Sequence, residues 1–547
     1  MRQPSRVLEV RPGRNAASSQ RSVEGQKLGW FEPWLQRNAG KVAVVLAIVG
    51  FLTRLRNATG KWLNPDEALH FLIANQASLA TVYHDSLTNA HPPLIYFLLH
   101  FWMRLGDSEV DLRLLSVFAG AATVWVVYRW LAKFSPAWGL STALLLALLP
   151  PLAALDAEVR QYAVLMLFMA GALLTLERAM AESSWTAMLM SALLLYAAIL
   201  THYSALFFAV ALGCVGLLRV ALTRPGPRFV ATWGATQLGA AALYVFLYIT
   251  HISRIRGGGM DREAHTGWLR AYFFESANDD LLWFVVGRTA GVFDYIFASK
   301  IGAVLALVLF STGMILLLAG RVRSSDDAAS GRYLGLTGLL TFALTAAGAV
   351  AGLLPYGNTR HVAFLAVFVL PLACFPIVWA ARGRVGVTLL VAALAAAGFR
   401  SLPRPSQSFI PEASQRRQLM VAAIDALHHE VPAGAPVLVD YQTAVLLGYY
   451  LRDGGVGPFP SPSTQPEEVP MGGYRVLVCA IWNFDAPSFE SALRHLAKTD
   501  VVRQGQRVWV VDAGAGPQLT SRTRTFGDNI AMFTVEVPSS PSAPESP

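Results

Sequence analysis

Charge is scarce in this chain. Asp, Glu, Lys and Arg make up 14% of its 547 residues, against roughly 25% in an ordinary soluble protein. That is too little to solvate the three or four globular domains that the length would otherwise suggest. Cysteine is scarcer still: Cys214, Cys374 and Cys479 are scattered, two of them in apolar runs, which excludes a secreted disulfide scaffold. The composition also excludes a disordered chain and a coiled coil. There is no internal repeat and no nucleotide or metal motif. The triplet Gly257-Gly258-Gly259 does not follow a strand, so it reads as loop flexibility and not as a phosphate loop. Apolar residues are what the chain has in quantity: 54% of the total, with a mean hydropathy of +0.44. Most of the chain is therefore expected to face lipid. The net charge is +9, from 44 Lys and Arg against 35 Asp and Glu. In a lipid-embedded protein that excess belongs to cytoplasmic loops and not to a nucleic-acid surface.

A helix needs about 20 mostly apolar residues to cross the hydrocarbon core. Such runs lie near 42–56, 113–132, 138–155, 161–180, 185–201, 204–221, 229–250, 301–320, 334–354, 361–380 and 385–400, giving about eleven crossings in a segment 42–400. The tail 1–41 is polar and basic, and no small-residue cleavage site follows an early apolar stretch, so the first run reads as a retained helix with a cytoplasmic tail. Residues 92–105 and 281–299 carry charges and read as interfacial helices. With the N-terminus inside, Arg129, Lys133, Arg178, Arg219, Arg224, Arg228, Arg321, Arg323, Arg332, Arg382 and Arg384 fall in inside loops. Arg54, Arg56, Lys61 and the stretch from Arg254 to Arg270 break the pattern locally. The charge bias thus implies a multi-pass protein of the cell (inner) membrane with an extracytoplasmic C-terminus.

After Phe399 the composition changes. Residues 401–418 read as a linker, 419–537 as a small soluble α/β domain, and 538–547 as a disordered tail. Within the domain, Leu419–His429 and Ala444–Leu451 are expected as helices, Pro436–Asp440 and Arg475–Cys479 as strands, and 501–511 as a hairpin around Gln504-Gly505-Gln506.

The costly polar residues gather at the outer helix ends: Asp66 and Glu67 with His91 in the first outer loop (57–112), then Asp156, Glu158, Arg160 and Tyr162, His202 and Tyr203, and Arg360 with His361. Ionisable groups beside lipid are expensive unless paired or wet, so their default reading is functional. Each also has a plain structural reading. Asn64-Pro65-Asp66-Glu67 is a good helix start, with Asn64 as cap and the acids opposing the dipole. It is equally a rigid place for a general base. His91 before Pro92-Pro93 opens a helix. Glu158 and Tyr162, four apart, share a helical face while Arg160 points elsewhere, and Arg160 alone reads as a snorkelling interfacial cation. His202 fits a satisfied buried histidine. Arg360 and His361 fit an interfacial anchor or a phosphate-binding pair.

Three segments carry a resemblance: PDEALH from Pro65, HPPLIYFLLHFWMRLG from His91, and LDAEVRQYA from Leu155. Together they resemble the GT-C type polytopic glycosyltransferases that use lipid-phosphate sugars, among them protein O-mannosyltransferases and the lipid A aminoarabinose transferase. The resemblance covers residues ~40–380 and implies a GT-C-like helical membrane fold. It also implies inverting transfer of a monosaccharide from a polyprenyl-phosphate donor to a lipid, glycan or protein acceptor. By that resemblance Asp66 is the base and Glu67 its neighbour in support. His91, Glu158, Arg160, Tyr162, His202, Arg360 and His361 are the expected substrate-binding set. The aminoarabinose transferase has a lysine where this chain has His91, a departure that concerns the donor sugar and its phosphate.

The residue chemistry agrees. A donor on an isoprenoid chain stays in the bilayer, so its site belongs at the interface. The phosphate leaving group calls for preorganised cations, and the acceptor hydroxyl for a carboxylate base. Because the donor already carries a good leaving group, a metal is not obligatory. A divalent metal has no dedicated ligand cluster, although Asp66, Glu67 and His91 would be the ligands if one bound. Two alternatives stay open: a transporter or flippase, which would place polar groups at mid-helix, and a lipid-linked glycan polymerase or ligase.

Overall fold

The protein is described by a computed structural model covering residues 31–538, except 88, 257–258, 268, 323–324, 402–409, 453–462, 500 and 515–523. The tail to residue 30, the Gly257-Gly258 pair, Arg323, most of the linker and residues 539–547 therefore lie outside the described residues.

Each of the eleven apolar runs is helical. Among the described residues seven helices are long and apolar enough to cross a membrane alone, and an eighth if Phe31–Arg37 and Ala39–Ala58, bent by 75°, are taken together. The remaining apolar helices, Pro136–Leu148, Trp185–Ile199 and Val385–Phe399, are shorter. The 13 residues of Pro136–Leu148 rise only about 20 Å at 1.5 Å each. The expected eleven crossings thus become seven or eight of full length plus three short apolar helices. Proline breaks one run: the helix Pro136–Leu148 ends before Leu149, and Pro150 starts a separate short helix, Pro150–Leu155. At the other end of the chain, Glu32 accepts the Val385 and Gly386 backbone N–H groups and so caps the last apolar helix. Residues 31–41 are accordingly helical and packed, not tail. The two amphipathic segments form the helices Leu94–Trp102 and Leu281–Phe297, the latter with Leu281, Leu282 and Trp283 exposed.

Arg54, which breaks the loop-charge pattern, is not a loop charge. It lies 1% exposed among the helices, its guanidinium 2.7 Å from Asp156, and donates further to the Leu146 and Gly50 carbonyls. A side chain at Gly120 would collide with this pair, which is why the helix Glu109–Leu131 can approach it so closely.

The C-terminal unit is a six-stranded mixed sheet ordered β2-β3-β1-β4-β6-β5. Its strands are β1 (Pro436–Val439), β2 (Ser463–Met471), β3 (Tyr474–Ala480), β4 (Arg507–Ala513), β5 (Arg524–Thr525) and β6 (Ile530–Glu536). β1 runs parallel to β3 and β4 at the centre, and antiparallel strands close both edges. The helices Arg417–Glu430, Tyr441–Tyr450 and Ala486–Lys498 cover it. The expected 501–511 hairpin does not form. Residues before Arg507 make a turn at Gly505 (φ 74°), and β4 pairs instead with β1 and β6. The turn residues were legible, but both partners of β4 are distant in sequence.

Packing ties this unit to the first loop. One continuous apolar core contains Trp62, Phe71, Tyr96 and Leu99 from the loop together with Met420, Tyr441, Leu446, Tyr449 and Val476. The membrane helices have their own core around Trp138, Phe208 and Phe368.

Replacing Arg54 by Leu leaves Asp156 buried and unpaired. The cost should be about 3–5 kcal/mol, seen as a lowered Tm in detergent. The double replacement Arg54→Leu with Asp156→Leu should recover much of it. A double variant as unstable as the sum of the singles would refute the pairing.

Candidate functional site

The site grows from one helix start. Pro65 opens the helix Pro65–Ala74, and Asn64 caps it: the Asn64 side chain accepts the Glu67 N–H, and Glu67 Oε2 accepts the Asn64 N–H, both at 2.9 Å. Glu67 is then drawn inward. Arg113 grips it with two 2.7 Å hydrogen bonds, and Val159 N–H donates to the same carboxylate at 2.9 Å. Arg113 also donates to the Ala58, Lys61 and Trp62 carbonyls. Burial alone would raise the Glu67 carboxyl, but Arg113 and the backbone donors outweigh it and hold it low. Both of its oxygens are occupied, and the residue is fully buried.

Asp66 points the other way. Its carboxylate lies 2.5 Å from Arg360 and 3.2 Å from Arg160, with the side chain 14% exposed. Burial opposes ionisation here too, but Arg160 and Arg360 hold the carboxyl well below the usual range. The three residues come from three separate segments, and Asp66 and Arg360 are 294 positions apart. Arg160 reaches Asp66 because residues 157–161 form turns and bends, and the helix begins only at Tyr162. The expected helical face shared by Glu158 and Tyr162, with Arg160 turned away, is therefore not formed. Arg360 opens the 3-10 turn Arg360–Leu365.

Beside this triad lies a row of imidazoles. Ring centroids are 5.8 Å apart for His70 and His91, 5.4 Å for His91 and His202, and 5.5 Å for His202 and Tyr162. His361 stands 6.5 Å from Tyr162, and its Nδ1 meets the Thr359 hydroxyl. The Gln161 amide lies between the His70 and His91 rings, its nitrogen 3.3 Å from His91 Nδ1. His70 Nδ1 faces the Asp66 carbonyl oxygen at 2.7 Å and so carries the proton. His202 Nδ1 accepts the Ser204 N–H, so its proton is on Nε2. Burial, reinforced by Arg160, pushes His70 down to about 4, His202 to about 3, and His91 well below its ordinary value. These rings are neutral polar groups near pH 7.

Glu158 behaves differently. Burial first, then the Glu67 carboxylate, raises it to about 7. Its Oε2, the Tyr96 and Tyr162 hydroxyls and Arg160 Nε are buried without a hydrogen-bond partner among the described residues. All nine expected site residues thus fall in one region. Four further ones, His70, Tyr96, Gln161 and Arg113, join them. His70 was detectable as the residue one helical turn after Asp66, and Gln161 as the neighbour of Arg160. Tyr96 and Arg113 gave no local signal. Among the described residues no group of three or more His, Cys, Asp or Glu is arranged to hold a metal ion.

Residues 90–252 match the family model for dolichyl-phosphate-mannose-protein mannosyltransferase. Three solved structures illustrate the likeness. ArnT from Cupriavidus metallidurans in the apo state is 14% identical over 91% of this chain and 99% of its own, with a TM-score of 0.41. The apo oligosaccharyltransferase of Archaeoglobus fulgidus is 13% identical over 88% and 70%, with a TM-score of 0.49. The S. cerevisiae protein O-mannosyltransferase Pmt1-Pmt2 complex bound to the sugar donor is 20% identical over 40% of this chain, with a TM-score of 0.33. The matched part spans 34% of that yeast chain. No curated protein sequence matches.

Glu158 gives the site a pH signature. Between its ordinary value of 4.5 and about 7, the folded protein holds a proton that the unfolded chain releases. Stability should therefore fall as pH rises through that window. Glu158→Gln should flatten this part of a Tm-against-pH profile, and an unchanged slope would show that Glu158 is not the group responsible.

Proposed function

We propose that this chain is an inverting glycosyltransferase. It moves a monosaccharide from a polyprenyl-phosphate donor to a hydroxyl of an envelope lipid, glycan or protein at the extracytoplasmic face of the membrane. The observation that carries this reading is the Arg160–Asp66–Arg360 triad at the end of an apolar helical bundle. One carboxylate between two guanidiniums leaves one positive charge in excess, which suits an anionic phosphate. The family-model match over residues 90–252 supports the donor class. The charge bias of the loops supports a cytoplasmic N-terminus and an extracytoplasmic C-terminal unit.

In the proposed reaction the acceptor oxygen attacks the anomeric carbon from the face opposite the phosphate. The new C–O bond forms as the C–O bond to phosphate breaks, and polyprenyl phosphate leaves with the electron pair. Asp66 takes the acceptor's proton. Two arginines make it a weak base at rest. A donor phosphate that shares their N–H groups loosens that hold and raises its basicity where the proton must go. Arg160 and Arg360 stabilise the charge developing on the leaving phosphate. The buried polar atoms of Tyr96, Glu158 and Tyr162 are suited to bind sugar hydroxyls. Glu67, with both oxygens engaged, holds Asp66 in place and takes no proton.

Purified protein assayed with a panel of polyprenyl-phosphate monosaccharides tests the reading. Asp66→Asn should lower kcat by roughly 10²–10⁴-fold with expression and membrane insertion intact. Near-wild-type turnover would remove Asp66 as the base. Arg360→Ala should raise the donor KM far more than the acceptor KM, and equal losses on both would exclude the phosphate role.

A further inference from the structure

Asp66 is positioned by a segment that is held from the far end of the chain. The four residues before its cap make hydrogen bonds with residues 414–417 and with Tyr450. The Gly60 carbonyl accepts from Arg417 N at 2.9 Å, and Lys61 bridges antiparallel to Arg416. Trp62 N donates to the Gln415 carbonyl at 3.0 Å, its Nε1 donates to the Ser414 carbonyl at 2.9 Å, and its carbonyl accepts from the Gln415 amide at 2.9 Å. Leu63 N donates to the Tyr450 hydroxyl at 3.0 Å, and that hydroxyl donates onward to Glu109 at 3.3 Å. Asn64, which caps the helix, comes next.

The helix Tyr441–Tyr450 then continues the contact along the helix Pro65–Ala74 itself. The Tyr449 ring meets Phe71 edge-on with centroids 4.9 Å apart, and its hydroxyl donates to the Asp107 carbonyl at 3.0 Å. Arg417 pairs with Glu109 at 3.1 Å. Segment 60–63 behaves as an extra edge of the C-terminal unit, although some 350 residues separate the two in sequence. A recognition module on a linker would share few bonds with the catalytic loop, whereas here the loop's buried backbone is satisfied by that unit. Loss of the Tyr450 oxygen would leave the buried Leu63 N–H without its acceptor.

We infer that Tyr450 is a positioning residue: through Leu63 it sets the helix start that aims Asp66 at Arg160 and Arg360, so the C-terminal unit is a structural part of the transfer site. This inference rests on the transferase reading for its kinetic consequence but not for its mechanical one. Reacting groups must be placed to within about 1 Å for efficient transfer, and small errors cost rate more than binding.

The test uses the full chain in detergent or nanodiscs. Tyr450→Phe keeps the ring and removes the hydroxyl. It should lower kcat roughly 3- to 10-fold, with the donor KM within about twofold. It should also speed amide hydrogen exchange across residues 60–74. Exchange in β3 and β4 should stay at the wild-type rate. Arg475→Ala, which breaks the exposed pair with Glu468 at 2.7 Å on the far side of the sheet, is the control and should change neither. Should Tyr450→Phe fail to fold, Gln415→Ala removes the amide that donates to the Trp62 carbonyl in the same segment and carries the same expectation. Wild-type exchange over 60–74 together with a wild-type kcat would overturn the inference, as would a donor KM that rises while kcat holds. If no donor in the panel supports transfer but exchange over 60–74 still responds, the transferase reading fails while the mechanical coupling stands.

Discussion

The buried pair of Glu67 and Arg113 is the constraint on which the site depends. A carboxylate with no exposure is tolerable only if its lone pairs are filled, and Glu67 receives donors from Arg113, from the Asn64 backbone and from the Val159 backbone. Arg113 in turn gathers the carbonyls of Ala58, Lys61 and Trp62. One ion pair therefore fixes the end of a long apolar helix, the segment after it, the start of the helix Pro65–Ala74 and the turn before Tyr162. Removing either partner would leave a charge stranded in low dielectric. Once Glu67 is pinned, the adjacent residue on the helix lies about a hundred degrees around the axis. Asp66 is thereby turned toward Arg160 and Arg360. Two neighbouring acids, similar on paper, end with opposite surroundings: one saturated and inaccessible, the other paired but reachable.

The electrostatics of the reachable side follow from the same packing. Burial keeps His70, His91 and His202 neutral, and the nearby Arg160 charge acts in the same direction. The charges of the triad are then one carboxylate against two guanidiniums, with neutral rings supplying hydrogen bonds at fixed tautomers. Burial, with the Glu67 and Asp66 carboxylates nearby, outweighs the two arginines at Glu158, so it holds its proton to near neutrality. Pairs of carboxyl groups whose surroundings push them apart are the arrangement expected where acid and base roles must coexist near pH 7.

Much of this was legible before the structure, and for identifiable reasons. Lipid makes long apolar runs compulsory, so all eleven helices could be seen. A capped start such as Asn64-Pro65 announces itself locally, and ionisable residues at helix ends are too costly to be incidental. What could not be read was whatever depends on distant partners. Arg54 looked like an ill-placed loop charge because Asp156 is 102 positions away. Arg113 gave no signal because its partner Glu67 is 46 positions away. Glu158 and Tyr162 carried an i, i+4 pattern that suggested a helix, but residues 157–161 form turns and bends, and the spacing lost its meaning. β4 was assigned to a hairpin because the strands it joins lie far along the chain on either side.

The family-level likeness divides the site in an instructive way. Residues 90–252 match the mannosyltransferase model and include His91, Glu158, Arg160, Tyr162 and His202. Asp66 and Glu67 precede that stretch, and Arg360 and His361 follow it. The matched stretch thus contains two of the clustered imidazoles, His91 and His202, and one guanidinium, Arg160, but not the carboxylate that Arg160 meets. The triad closes only when the capped helix start before residue 90 and the 3-10 turn at Arg360 are brought against it. The first is braced by Glu67, Arg113 and the C-terminal unit, and the second by the nearly wholly buried helix that follows it. The chemistry of the site is therefore a property of the whole fold, assembled from segments that the matched stretch does not contain.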